Sequence, residues 1–320
     1  MASWQAHVAV WIIKWRVKRK LRAARDYHES RKILRPEPYR ALEGVRITEA
    51  QVGGVSGEWV EATENPAGLL LYLHGGGYFA CSAKTHRAIT ASFARQGFRV
   101  FAPNYRLAPE HPFPAAVEDA VAVYRGLLEA GHAANQIVVS GESAGGGLTL
   151  SLLLTLRAKQ ISLPAAAALF SPWTDLAATG ESIVKNTGRC AMFEGEKIGP
   201  TAKLYLGSTD CRDPIASPLY ADLAGLPPLL IHVGADEVLR DDSTRLAERA
   251  KAAGVQVELK IWPVVPHAWQ LAPGKIPEAR ASLRESAGFL RAALNNPEVV
   301  RQGTTSVLPQ VQDKNRGFGR

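Results

Sequence analysis

Val138-Val139-Ser140-Gly141-Glu142-Ser143-Ala144-Gly145-Gly146-Gly147 joins an apolar run, Ile137–Ser140, to an Ala- and Leu-rich segment, Ala144–Lys159. The run reads as a strand and the segment as a helix, so the stretch is a strand-to-helix turn with the pattern G-x-S-x-G. Such a turn forces its serine into a strained backbone conformation. The chains on either side must pass closely, and Gly141, Ala144 and Gly145 are correspondingly small. The turn also sets Ser143 at a helix N-terminus, where uncovered N–H groups favour a developing negative charge. A phosphate-binding loop would need a lysine after the glycines, and none follows. The sequence therefore predicts that Ser143 is a nucleophile.

Outward from this turn, short apolar runs alternate with helical patterns. Val45–Val52 and Glu58–Ala62 read as an opening strand pair, and Leu69–Leu73 as a strand buried on both faces. A helix over 83–96 stops at Gly97, the strand Arg99–Asn104 follows, and a helix over 115–130 closes at Gly131. Beyond the helix Ala144–Lys159 come strand Ala165–Phe170, strand Leu229–Val233, helix Asp241–Ala253, strand Val255–Ile261 and helix Pro277–Ala293. This is an α/β chain with a mostly parallel sheet covered on both sides. Residues 1–40, 179–212 and 297–320 break the alternation. The last of these is polar and aperiodic, and is expected to be a loosely ordered tail.

The strand Leu69–Leu73 runs into His74-Gly75-Gly76-Gly77-Tyr78. Consecutive glycines leave backbone N–H groups uncovered, so Gly75, Gly76 and Gly77, with Ala144 after the serine, are candidates for an oxyanion hole. His74 reads as a structural residue of that loop. A serine hydroxyl is a weak nucleophile and needs a base oriented by a carboxylate. In strand-to-helix serine hydrolases these follow as acid, then histidine, each after a later strand. Leu229–Val233 leads into Gly234-Ala235-Asp236-Glu237, and Val255–Ile261 leads toward His267. The expected triad is Ser143, His267 and Asp236. Glu237, Asp241 and Asp242 compete for the acid role, although Asp241 and Asp242 look like the start of a helix, where carboxylates belong.

The net charge of +8 sits entirely in residues 1–40, which hold eleven Lys/Arg against three Asp/Glu; the rest of the chain holds twenty-seven of each sign. A body without basic excess argues against nucleic-acid binding. Trp4, Val8, Trp11 and Trp15 share one helical face, and Lys14, Arg16, Lys18, Arg19 and Lys20 crowd the second half of that helix. Charges that follow the apolar run do not suit a secretory signal, and Val8–Ile13 is too short to span a bilayer. Either the tryptophan face packs onto the protein, or residues 1–25 lie peripherally on an anionic membrane. The three cysteines, Cys81, Cys190 and Cys211, form no C-x-x-C pair, which fits a reducing, cytoplasmic setting and neither a disulfide scaffold nor a metal site.

Taken together, HGGGY (74–78), YRLAPEHPFPA (105–115), GESAGGGL (141–148), SPWTDL (171–176), DEVLRDD (236–242) and the His267 region resemble the hormone-sensitive-lipase-like (family IV) esterases of the α/β-hydrolase superfamily. The resemblance covers about residues 68–293. It implies an eight-stranded sheet in two core parts (41–178 and 213–296), with 1–40 and the 179–212 insertion forming a helical cap that covers the tryptophan face. It also implies hydrolysis of short- to medium-chain acyl esters without cofactor or metal, and often homodimers. Tyr78, Leu204 and Tyr205 are candidate substrate-pocket residues. Lactone hydrolysis, of the monoterpene type that SPWTDL and DEVLRDDS also resemble, and amide hydrolysis stay open on the same triad. A non-catalytic small-molecule receptor of this fold would lack the histidine, and His267 is present. The chain departs from the family pattern at Glu142, where Asp is usual, and at Asp236-Glu237-Val238, where Asp-Pro-Leu is common.

Overall fold

The structure, a computed structural model, describes residues 2–35, 39 and 43–295. At its centre lies an eight-stranded sheet in the order β1-β2-β4-β3-β5-β6-β7-β8. The strands are β1 (Arg46–Val52), β2 (Val55–Glu61), β3 (Gly68–Leu73), β4 (Phe98–Pro103), β5 (Ile137–Glu142), β6 (Ala167–Phe170), β7 (Leu229–Gly234) and β8 (Val257–Trp262). β2 is antiparallel to β1 and β4, and every later pairing is parallel. The predicted mostly parallel sheet is therefore present.

Its central strands are apolar throughout because both faces are covered. On β3, Leu69, Leu71 and Leu73 join one core with Val139 of β5, while Leu70 and Tyr72 join the opposite core with Val138. Helices α5 (Ala115–Glu129) and α6 (Ala144–Ala158) pack on the first face. Helices α4 (Arg87–Arg95) and α10 (Pro277–Asn295) pack on the second. Fully burying one such side chain stabilises the fold by about 1.5–3 kcal/mol. The sheet is thus a rigid base for the loops at its strand ends.

The N-terminal segment is one long helical rod. α1 (Trp4–Ile13) passes through a π-helical stretch, Lys14–Lys18, into α2 (Arg19–Ala23), and α3 (Tyr27–Ile33) follows. Ser3 caps the rod: its Oγ accepts from Ala6 N, and its own N and Oγ donate to the Glu278 carboxylate at 2.6 and 2.8 Å. The face that packs inward carries Ala6, which is buried against Trp262, Val265, Trp269, Ile276 and Ala279. The expectation that the tryptophan face packs onto the protein is overturned. Trp4, Trp11 and Trp15 are 71, 67 and 55% exposed. The small side chain at position 6 lets the helix approach α10 closely, which turns the tryptophans outward.

The 179–212 insertion forms short helices, α7 (Glu181–Lys185) and α8 (Ile198–Leu206), before α9 (Arg240–Ala252) resumes the alternation. Lys14 Nζ donates to Gly188 O at 2.7 Å and Lys18 Nζ to Cys190 O at 2.9 Å, so the rod and the insertion are tied together. Among the described residues, no helix is long and apolar enough to cross a membrane. The predicted tail, 297–320, lies outside the described residues.

Candidate active site

Ser143 occupies the turn between β5 and α6 with φ 57° and ψ −122°, a conformation that L-residues rarely adopt. Two flanking positions show why the motif demands glycine. A Cβ on Gly141 would lie 2.1 Å from Gly145 O, and one on Gly145 would lie 2.1 Å from Leu73 O. Ser143 N donates to Phe170 O at 2.8 Å, which fixes the strained turn to β6. As the first residue of α6, Ala144 has an N–H with no acceptor inside the helix.

The glycine loop follows β3. Gly76 and Gly77 have φ of 111° and 62°, and their N–H groups donate to no backbone acceptor among the described residues. Gly75 differs. Its N–H donates to Glu142 Oε2 at 3.0 Å, so the expectation that Gly75 contributes to an oxyanion hole is corrected. His74 is structural, as expected. Its Nδ1 meets Gly75 O at 2.7 Å, its ring stacks on Tyr105, and burial, with His86 nearby, lowers its pKa to about 3. Tyr105 Oη donates to His74 O at 2.6 Å, which ties the YRLAPEHPFPA segment to the loop. From α3, Arg31 Nε donates to Phe79 O at 2.6 Å and Arg31 Nη2 to Ala108 O at 2.9 Å.

His267 lies beyond β8, 3% exposed, with its Nδ1 2.5 Å from Glu237 Oε2. A carboxylate accepts, so Nδ1 carries the hydrogen. The other oxygen of Glu237 accepts from Ser171 Oγ at 2.7 Å and Gly234 N at 2.6 Å, which leaves this carboxylate no freedom to turn. The partner of His267 is therefore Glu237, and the sequence-based choice of Asp236 is corrected. Asp236 instead pairs with Arg189, where its side chain is 36% exposed. The reason is the turn at the end of β7, in which Glu237 N donates back to Gly234 O at 3.2 Å. Successive side chains leave that turn in different directions, one to solvent and one to the histidine. Two adjacent carboxylates after one strand gave the sequence no means of choosing. Asp241 and Asp242 start α9 as expected, with Asp241 accepting from Ser182 N and Asp242 from Thr174 N and Asp175 N, each at 2.8 Å.

His267 Nε2 makes no hydrogen bond. Glu142 Oε1 stands 3.8 Å from it. Glu142 is itself buried, and His86 Nε2 approaches its other oxygen at 2.9 Å. Burial opposes the charge of Glu142, but the His86 hydrogen bond and the charges of the surrounding histidines outweigh it, and its pKa lies below the ordinary carboxylate value. Burial likewise pulls the His267 pKa down, and Glu237, with Glu142 adding, carries it above the ordinary histidine value. The sequence assigns no role in the site to Glu142 or His86. The departure from the usual Asp at 142 was the available signal; a lone histidine at the head of a helical stretch carried none.

Ser143, His267, Gly76 and Gly77 line one cavity of about 390 Å³, within the range of small-molecule sites. Its roof comes from the rod (Lys18, Leu21, Arg22) and from the insertion (Met192, Phe193, Leu204). Of the pocket residues expected from sequence, Leu204 is there. Tyr78 and Tyr205 are not: they are buried in the core and stacked on each other at 3.7 Å. Neighbours on a helix point about 100° apart, so α8 sends Leu204 to the cavity and Tyr205 inward. Among the described residues, no group of side chains is arranged to hold a metal ion.

Residues 70–271 match the family described as alpha/beta hydrolase fold. The chain is 43% identical to an acetyl-hydrolase of Streptomyces hygroscopicus over 243 residues, 76% of this chain and 81% of that one. It is 38% identical to an esterase of Acinetobacter venetianus over 248 residues, 77% and 82% of the two chains. A crystal structure of an esterase from the bacterial hormone-sensitive lipase family superposes with a TM-score of 0.85 at 40% identity, covering 92% of this chain and 99% of that one.

Proposed function

This chain belongs to the alpha/beta hydrolase fold family and is a hormone-sensitive-lipase-like esterase, and on that ground we propose that it cleaves short- to medium-chain acyl esters with Ser143 as nucleophile, His267 as base and Glu237 as the orienting acid. One observation carries the assignment. The imidazole is held through Nδ1 by a fully partnered carboxylate, while its unpartnered Nε2 belongs to the cavity that the strained serine also lines.

In the first half-reaction, Nε2 of His267 takes the Ser143 proton as Oγ bonds to the ester carbonyl carbon. The carbonyl oxygen becomes an oxyanion, stabilised by N–H groups of Gly76, Gly77 and Ala144. Collapse breaks the bond to the alcohol, which leaves with the proton from Nε2. Water then enters, gives its proton to Nε2 and attacks the acyl-enzyme. The acid departs as Ser143 recovers its hydrogen. Each turnover returns the imidazole to neutrality, and the Glu237 charge lowers the cost of the imidazolium in between.

The cap is part of the same reading: Lys18, Leu21, Arg22 and Leu34 from within 1–40, with Met192, Phe193 and Leu204 from within 179–212, roof the cavity. Met192, Phe193, Ile198, Leu204 and Leu239 make its wall apolar, which suits an acyl chain, and its volume suits one of modest length. The test is turnover of p-nitrophenyl butyrate by Ser143→Ala. The expected loss is on the order of 10⁶-fold in kcat, with an unchanged circular dichroism spectrum. Activity within tenfold of the parent would remove the nucleophile assignment.

A further inference from the structure

The rod Trp4–Ala23 is apolar on both sides. Ala6 faces the body, and Trp4, Val8, Trp11, Ile12 and Trp15 form an opposite face that is 40–71% exposed. Trp11 and Trp15 stack with their planes 2° apart, making a flat apolar plate on the protein surface. Exposed tryptophans on one helical face ask for a partner.

The surrounding charge says which partner. Arg16, Arg19, Lys20 and Arg22 are exposed and form no ion pair among the described residues. By contrast Lys14 and Lys18 are spent on the carbonyls of Gly188 and Cys190. Four uncompensated cations beside a tryptophan plate match the interfacial zone of an anionic bilayer, where indole rings sit at headgroup depth and basic side chains meet phosphates. A second copy of the chain is a poorer match. Face-to-face pairing of two such rods would bring two sets of unpaired cations together, and residues 4–23 hold no Asp or Glu to receive them.

We infer that this face docks the enzyme on an anionic lipid surface. The rod that bears the plate also walls the catalytic cavity through Lys18, Leu21 and Arg22, so docking places the cavity wall at the interface. Esters partitioned into that layer would then be presented to the site without crossing bulk water. The inference builds on the proposed function only in this last step; docking itself requires no catalysis.

The test uses the full chain, with Ser143→Ala in parallel, and flotation with vesicles of phosphatidylcholine alone or with an equal part of phosphatidylglycerol. Both proteins are expected to float with the anionic vesicles, far less with the neutral ones, and to be released by added salt. Trp4→Ser/Trp11→Ser/Trp15→Ser should lower partitioning by tenfold or more, about the loss expected for apolar anchors. Arg16→Gln/Arg19→Gln/Lys20→Gln should lower it on the order of a hundredfold on anionic vesicles only. None of these six residues lines the cavity, so p-nitrophenyl butyrate turnover should stay at the parental level and report an intact fold. The inference is overturned if the parent fails to float at low salt, or if binding survives both sets of substitutions. It is equally overturned if light scattering shows a dimer that the tryptophan substitutions dissolve while vesicle binding is absent.

Discussion

The floor of the cavity and its roof are built on opposite principles. On the floor, polar side chains are buried and nearly all of them are held. Glu237 accepts from Ser171, Gly234 and His267, and Glu142 accepts from Gly75 and His86. His267 Nε2, the atom to which the mechanism assigns the proton, is left without a partner, as is Trp173 Nε1 in the same cavity wall. On the outer side of the roof, Trp4, Trp11 and Trp15 are exposed, and so are Arg16, Arg19, Lys20 and Arg22, which form no ion pair among the described residues. A buried polar group left unpaired costs about 1–3 kcal/mol, and at His267 Nε2 that cost falls on the atom the chemistry needs free. The roof carries no such penalty, because water solvates its cations, and its open apolar face signals an outside partner instead.

The comparison is most easily broken at the two adjacent carboxylates, one on the floor and one at the surface. Glu237→Gln keeps the shape but removes the charge that supports the imidazolium and fixes the tautomer of His267. A fall in kcat on the order of 10⁴-fold is expected, the size seen when a triad acid becomes its amide. Asp236→Asn, at an exposed pair with Arg189, should leave kcat/KM within about twofold, since exposed ion pairs contribute little. Steady-state kinetics on both variants decide the matter. The opposite ranking would return the acid role to Asp236.

This pair also marks the border of what the sequence could tell. The sheet, its helices, the serine turn and the histidine were legible because each rests on local pattern: a continuous apolar strand, glycines where chains cross, a loop after a strand. The choice between Asp236 and Glu237 was not local, since it depends on how the turn after Gly234 orients two neighbouring side chains. Tyr78 and Tyr205 were misplaced for a similar reason. Their aromatic character suits a pocket as well as a core, and only packing shows that they stack on each other. The tryptophan face was legible as a face. Which way it pointed depended on Ala6 and on α10, almost the length of the chain away.

A smaller effect sharpens the account of the floor. Glu142 sits 3.8 Å from the free nitrogen of His267 and helps hold the His267 pKa above its ordinary value. The base works only when neutral, so kcat/KM should fall as pH drops through that raised value, and the acid limb of the profile should lie above about 6.5. Glu142→Gln removes a negative charge that raises the His267 pKa, so the limb should move to lower pH, while Gly75 keeps an acceptor. Glu142→Ala removes that acceptor as well. It should lower kcat further with little change in KM, because the glycine loop loses its anchor. A purely structural role for Glu142 would lower stability and leave the acid limb in place.

The smallest effect is the most discriminating for the roof. If Trp4 and Trp11 packed onto the body, as a buried cap helix would require, replacing either with Ala would cost about 3–5 kcal/mol. Their exposure of 71 and 67% leaves little packing to lose, and each change should fall within about 0.5 kcal/mol in urea unfolding of the lipid-free protein. Ala6→Leu, on the inward face of the same helix, should cost about 1–3 kcal/mol, because the packing there against Trp269 and Ala279 leaves no room for a larger side chain. Near-zero cost at the tryptophans beside a clear cost at Ala6 would show that their apolar surface serves no purpose within the folded chain. A large cost at Trp11 would mean that the rod folds back on the body in solution, with its plate covered by the chain itself.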